Sequence, residues 1–172
     1  MIEKILNKYA VNQLGYVVED VETAALAFVE ALGAGPFVYM EPPAPAKTVF
    51  RGQEVANEIK VAYGSYGDLQ IELIQPLTTD PTPYNEIGTG FNHFCCWVDD
   101  LDGAIKDFED AGFEVAMLME SSGGLKVAYI DCLKAFGHYV EIHNPQPFLH
   151  DMCNGLRENW DGSDPVRPMR RG

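Results

Sequence analysis

Gln13, Glu72, His93 and Glu141 are polar side chains set in short, strand-like apolar runs. Glu72 stands between Ile71 and Leu73, and Glu141 between Val140 and Ile142. In a half-buried strand, alternation puts such a residue on the face opposite its two neighbours. A carboxylate inside an apolar strand costs several kcal/mol unless it is paired, hydrogen-bonded or bound to a cation. Two carboxylates, one imidazole and one amide oxygen form an N/O donor set that suits a divalent ion. Zinc comes first, with nickel, cobalt, manganese or iron(II) also compatible. The set has no thiolate, which argues against a purely structural zinc site. Four protein ligands leave one or two places for water or substrate on a five- or six-coordinate ion.

The four residues are tied together by an internal repeat. The run from Gln13 to Asp20 matches the run from His93 to Asp100: each is apolar and ends in an acidic pair. A helical pattern follows each run. Val21, Ala24, Ala25, Phe28, Val29 and Leu32 share one face of the first helix, and Leu101, Ala104, Ile105 and Phe108 one face of the second. Asp20 and Asp100 are placed to cap these helices, and Gly33 and Gly112 to end them. Later, Ile71 to Pro76 parallels Val140 to Pro145. Strand-like runs precede both, at 58–63 and 126–130, with turns at Gly67 and Gly137. Each half therefore reads as a strand, a helix and about three strands.

These elements predict an α+β fold of two tandem βαβββ modules, at about 10–77 and 90–145, in one domain over 1–145. Position 93 lies 80 residues after 13, but 141 lies only 69 after 72. The first half thus carries extra residues, placed at Glu41 to Gln53, where Pro42, Pro43 and Pro45 suggest a loop over the site. Thr78 to Gly90 reads as the linker. Residues 146–172 read as a helix near Phe148 to Trp160, followed by a solvated tail with Arg167, Arg170 and Arg171. The apolar face of that helix is a candidate contact for a partner subunit in a homodimer.

Bulk properties narrow the partners. The chain has 172 residues, 47% hydrophobic and 22% charged, within the ordinary range for a globular domain. Its formal net charge is −14, which repels phosphate backbones and excludes nucleic acid as an expected partner. Apolar stretches are too short to span a bilayer, and the first residues lack a signal-peptide pattern, so a cytoplasmic location is expected. Cys95, Cys96, Cys132 and Cys153 lack CxxC spacing and read as small core residues in a reducing compartment. Cys95 and Cys96 should point to opposite faces of their strand.

The repeat, its spacing and its four polar positions resemble the vicinal oxygen chelate superfamily, in its glyoxalase I and methylmalonyl-CoA epimerase branch. The resemblance covers about residues 10 to 145. It implies that the sheets of the two modules form a curved, half-open mixed barrel around a divalent metal held by Gln13, Glu72, His93 and Glu141. It also implies a metal-dependent lyase or isomerase, in which a proton is taken from beside a carbonyl or thioester and the resulting enolate is stabilised by the metal. Glu141 is the first candidate for the base and Glu72 for its partner on the opposite face. Glutathione contacts typical of glyoxalase I are missing, because Val17, Pro76 and Thr89 stand where arginine, asparagine and arginine often occur. The stretch from Glu72 to Leu77 is similar to that of the epimerases, for which an acyl-CoA racemase is the alternative, with Glu54 a candidate second base. His143, two residues from Glu141, is a candidate support for the metal, whereas His138 and His150 read as surface residues. An iron(II) dioxygenase would want a second histidine where Gln13 stands. A metal-free binding protein of the same fold is the non-catalytic alternative. Its cavity would be lined from among Tyr16, Phe50, Tyr63, Phe94, Trp97 and Tyr129.

Overall fold

The computed structural model of the protein describes residues 8–169. The first module runs β1 (Val11–Val17), α1 (Val21–Leu32), β2 (Phe37–Met40), β3 (Lys47–Phe50), β4 (Gln53–Glu54), β5 (Ile59–Tyr66) and β6 (Leu69–Pro76). A short helix, α2 (Pro83–Ile87), leads to the second module: β7 (Gly90–Trp97), α3 (Leu101–Asp110), β8 (Glu114–Glu120), β9 (Lys126–Asp131), α4 (Leu133–Phe136) and β10 (Tyr139–His143). The chain then forms α5 (Pro147–Glu158) and β11 (Val166–Pro168). No helix among the described residues is long and apolar enough to cross a membrane.

The helices start where the acidic residues predict. Asp20 accepts from the Thr23 amide at 2.8 Å, and Asp100 from the Gly103 amide at 3.0 Å. Gly33 closes α1 in the left-handed conformation, at φ 63°. All strands join one mixed sheet in the order β11-β2-β5-β6-β1-β7-β10-β9-β8-β3-β4. Within each module the first strand lies parallel to the last, β1 to β6 and β7 to β10. The modules meet along the antiparallel pair β1–β7 of the same chain. Across that seam Gln13 faces Cys95 and Gly15 faces His93. Because 13 corresponds to 93 and 15 to 95, this register is the one that a two-fold relation between the copies requires.

Strand alternation sorts the side chains into two layers. On the convex side, Ile71 and Leu73 meet Val21 and Ala25 of α1, while Val140 and Ile142 meet Leu101, Ala104 and Phe108 of α3. On the concave side, Ile74, Val61, Met117, Val127, Tyr129 and Tyr139 form a third cluster. Glu72 and Glu141 belong to this inner face. Their apolar neighbours in sequence therefore serve the helices, not the site.

Three segments differ from the sequence expectation. Residues 47–54 are not a loop: they form a hairpin whose first strand pairs with β8 of the other module. Arg51 and Gly52 turn it, both at positive φ, as a tight two-residue hairpin needs. The outer edge of β8 offers unpaired backbone groups, and Thr48 and Phe50 are buried where β3 meets it. Arg51 secures the turn to α2 and β9, reaching Glu86 at 3.0 Å and Asp131 at 2.8 Å. The linker likewise contains α2, capped by Thr82 and anchored by buried Tyr84. The tail is not simply solvated, because β11 pairs with the free edge of β2; Arg170 and Arg171 lie outside the described residues. The terminal helix packs on its own sheet through buried Cys153, leaving Phe148 exposed.

The seam imposes one absolute size limit. The His93 ring lies over Gly15, and a Cβ there would sit 2.0 Å from Cε1 and 2.3 Å from Nε2. Gly15→Ala is expected to destabilise the fold by at least the roughly 1–3 kcal/mol of core overpacking, or to displace His93. Denaturant unfolding together with the His93 ring resonances will test this. An unchanged midpoint with unchanged resonances would mean that the contact is slack.

Candidate functional site

Four consecutive strands carry the four residues singled out by the repeat: Glu72 on β6, Gln13 on β1, His93 on β7 and Glu141 on β10. All four are buried, at 8%, 8%, 0% and 7% relative exposure respectively. His93 Nε2 lies 2.9 Å from a Glu141 carboxylate oxygen and 3.4 Å from one of Glu72. Neighbouring donors around one small divalent ion stand about 3.0–3.5 Å apart, given ligand bonds of roughly 2.0–2.2 Å. Despite this closeness, Gln13 Oε1, His93 Nε2 and Glu141 Oε2 are buried without a hydrogen-bond partner. Two buried carboxylates around one imidazole, with a buried amide oxygen on the strand between, are a costly arrangement that a cation would relieve.

The surroundings hold these atoms in orientation. Gln13 Nε2 donates to Gln70 Oε1 at 2.7 Å, which leaves the Gln13 carbonyl oxygen as the free end of the amide. Gln70 Nε2 in turn contacts Cys153 Sγ of α5 at 3.7 Å. Asn92 Nδ2 donates to the Pro83 carbonyl at 3.0 Å, and Asn92 Oδ1 lies 3.1 Å from His93 Nδ1. An acceptor at Nδ1 favours the proton there and leaves Nε2 to face the carboxylates. Thus α2, which looked like mere linker, supports the histidine. Gln70 and Asn92 went unnoticed in the sequence, although Gln70 shares strand face with Glu72 and Asn92 adjoins His93.

Electrostatics follow from the same contacts. Burial alone would lower the His93 pKa, but the adjacent charges of Glu141 and Glu72 outweigh it and raise it to about 9. Burial opposes ionisation of Glu141, yet its interaction with His93 holds its pKa below the ordinary value. Each glutamate also faces a tyrosine on the neighbouring antiparallel strand, Tyr63 opposite Glu72 and Tyr129 opposite Glu141. Burial and then the nearby carboxylates push both phenols well above 10, so they remain protonated donors. The Tyr129 hydroxyl lies 3.0 Å from that of Tyr84.

The cluster opens into a cavity of about 230 Å³. Of the aromatic residues proposed as lining, Tyr63, Trp97 and Tyr129 do line it. Tyr16 and Phe94 point to the helix layer, and Phe50 is in the inner core. His143 lines the cavity as well, with Nδ1 2.6 Å from the Asn144 carbonyl. Its ligand atom, that of Glu141 and Cys95 Sγ lie within 4.8 Å of one another. Cys95 is buried as expected, on the inner face beside Glu141; burial, then Glu141, raise its pKa well above 9 and keep it a thiol. All four cysteines are free and buried. Glu54 is exposed on β4 and does not reach the cavity. His138 and His150 are half-buried rather than on the surface, and neither lines it.

Among curated proteins none matches the chain. Solved structures of similar fold include a hypothetical protein from Bacillus halodurans, 18% identical, with a TM-score of 0.56 over 80% of this chain and 95% of that one. Methylmalonyl-CoA epimerase from Mycobacterium tuberculosis is 19% identical, with a TM-score of 0.54 over 82% and 91%. A methylmalonyl-CoA epimerase in complex with methylmalonyl-CoA and NH4+ is 16% identical, with a TM-score of 0.52 over 79% and 94%. At these identities the likeness establishes the fold. Residues 12–129 match the family model described as glyoxalase/bleomycin resistance protein/dioxygenase superfamily, and the chain belongs to that superfamily.

Proposed function

We propose that the protein is a metal-dependent lyase or isomerase that moves a proton on a carbon next to a carbonyl. The observation that carries this reading is the meeting of the buried His93 Nε2 with the Glu141 and Glu72 carboxylates, at 2.9 and 3.4 Å, beside the strand that carries Gln13, whose Oε1 is buried without a partner. In this reading Gln13, Glu72, His93 and Glu141 hold one divalent ion, zinc foremost, with nickel, cobalt or manganese also suited to the donors. When bound, the ion supplies Lewis acidity that draws electron density from the carbonyl and acidifies the neighbouring C–H.

The chain's own groups do the rest. Glu141 takes the proton, because its carboxylate is ionised and buried at the cavity wall. Glu72 faces it from the other module and is placed to return a proton on the opposite face of the carbon. Tyr63 and Tyr129 are protonated donors next to these carboxylates, suited to orienting a substrate oxygen. Asn92 and Gln70 hold His93 and Gln13 in position through their amides. Apolar side chains on the wall, Met40, Ile59 and Leu149 among them, would lower the local dielectric and strengthen each of these interactions. An epimerase-like exchange would use the same pair of glutamates, since exposed Glu54 does not line the cavity.

The purified chain, incubated with zinc, nickel, cobalt or manganese and then dialysed, is expected to keep one ion per chain by elemental analysis. At an ion concentration of 100 times Kd, binding adds about 2.7 kcal/mol. For a chain of this size that raises Tm by roughly 5–10 °C, and a chelator reverses the shift. Retention of no ion, with no shift, refutes the reading. Glu141→Gln should stay folded by circular dichroism and lose roughly 10²–10⁴-fold of solvent-deuterium exchange into an active α-hydroxy or α-keto compound. Undiminished exchange would remove Glu141 from the role of base. Asn92→Ala should weaken metal affinity about 10–100-fold without touching the ion. Equal affinity in that variant would show that the Pro83–Asn92–His93 chain is dispensable.

A further inference from the structure

The walls of the cavity point to the class of compound it accepts, an inference that rests on the metal-dependent reading above. Away from Glu72 and Glu141 the lining mixes apolar side chains, Met40, Ile59, Met119, Leu125 and Leu149 among them, with uncharged polar groups such as Asn57 and Ser121. Among the described residues no lysine or arginine lines it. A divalent ion and two carboxylates cancel in formal charge, so the loaded cavity is neutral and has no cation left over for a phosphate or a carboxylate. Its volume, about 230 Å³, lies below the roughly 300–1,000 Å³ of sites that enclose drug-sized ligands.

Access is restricted by how the chain is threaded. Residues 41–46 leave β2 in one module and enter β3, which is bonded to β8 in the other. The segment is held at both ends, and Pro42, Pro43 and Pro45 line the cavity from it. Proline fixes φ and limits how far such a strap can deform. Gln146 and Leu149, around the start of α5, line the cavity from another side. A coenzyme A or glutathione arm entering on this side would pass between these segments. Outside, it would meet a chain of net charge −14. Of the cations around the cavity, Arg51 is engaged with Glu86 and Asp131 and Lys60 with Glu22, while Lys47 and Lys126, close in sequence to the lining residues Pro45 and Leu125, line a separate pocket on the outer side of β8.

We infer that the substrate is a compact, uncharged carbonyl compound with an apolar or aromatic body, taken up free rather than on an anionic thiol carrier. Benzohydroxamic acid, an aryl chelator that is uncharged in neutral solution and releases its N–OH proton to buffer on chelating zinc, is the probe, compared with an aryl hydroxamate borne on glutathione and a nitronate borne on coenzyme A. Calorimetric titration of the zinc-loaded full chain should show the free hydroxamate binding at least tenfold more tightly than either carrier-borne compound. Leu149→Trp, outside the metal ligands, should retain zinc by elemental analysis and lose at least tenfold in affinity for the free hydroxamate. A loaded chain that prefers a carrier-borne compound, binds none of the three, or is indifferent to Leu149→Trp overturns the inference and leaves the metal assignment standing. Failure to retain zinc in the unaltered chain removes the metal-dependent reading, and this one with it.

Discussion

Two carboxylates and an imidazole share one small buried space, and the rest of the molecule can be understood from the cost of that arrangement. Like charges in a region of low dielectric repel strongly, and each has lost its hydration. They can be kept together only by a compensating cation and by a scaffold stiff enough to deny them escape to solvent. In the absence of an ion, a proton on His93 supplies that compensation, which is the physical meaning of its raised pKa. The proposed metal would supply more of it, and would also satisfy the Gln13 oxygen, which a proton on His93 leaves without a partner.

The scaffold meets the demand by duplication. Each copy contributes one residue from its first strand and a glutamate from its last, and the β1–β7 seam places those strands side by side. The two copies are not equal at the seam. His93 needs room, and that room is made at Gly15, whose counterpart in the other copy is Cys95. Symmetry therefore brings the donors together, while a break in symmetry admits the ring. Additions outside the repeat then complete the site: α2 fixes His93 through Asn92, α5 touches Gln70 behind Gln13, and the strap at 41–46 covers the cavity.

Much of this was legible in the sequence for a definite reason. Period-two alternation, helix caps and glycine stops depend on neighbours a few residues apart, so both modules could be read locally. The four polar positions emerged because a buried carboxylate is anomalous, and its recurrence at matched places is hard to explain otherwise. Residues 47–54 were less legible. Prolines and a turn imply a loop, yet β3 is stabilised by the distant edge of β8. The tail behaved likewise, since Val166–Pro168 has little strand character until the edge of β2 is offered to it.

By itself the sequence determined the fold class and the two-fold repeat, and it singled out Gln13, Glu72, His93 and Glu141 as one candidate set. These follow from short-range periodicity and from chemical types, which the chain carries whether or not it is folded. Only the tertiary structure decided that both modules join within one chain, that Glu54 stays outside the cavity lining, and that Cys95, His143, Gln70 and Asn92 stand around the four. It also decided the size of the cavity and that no lysine or arginine among the described residues lines it. Such properties depend on which distant strand edges meet and which side chains share a face across them, and those choices are made by the free energy of the whole packed sheet.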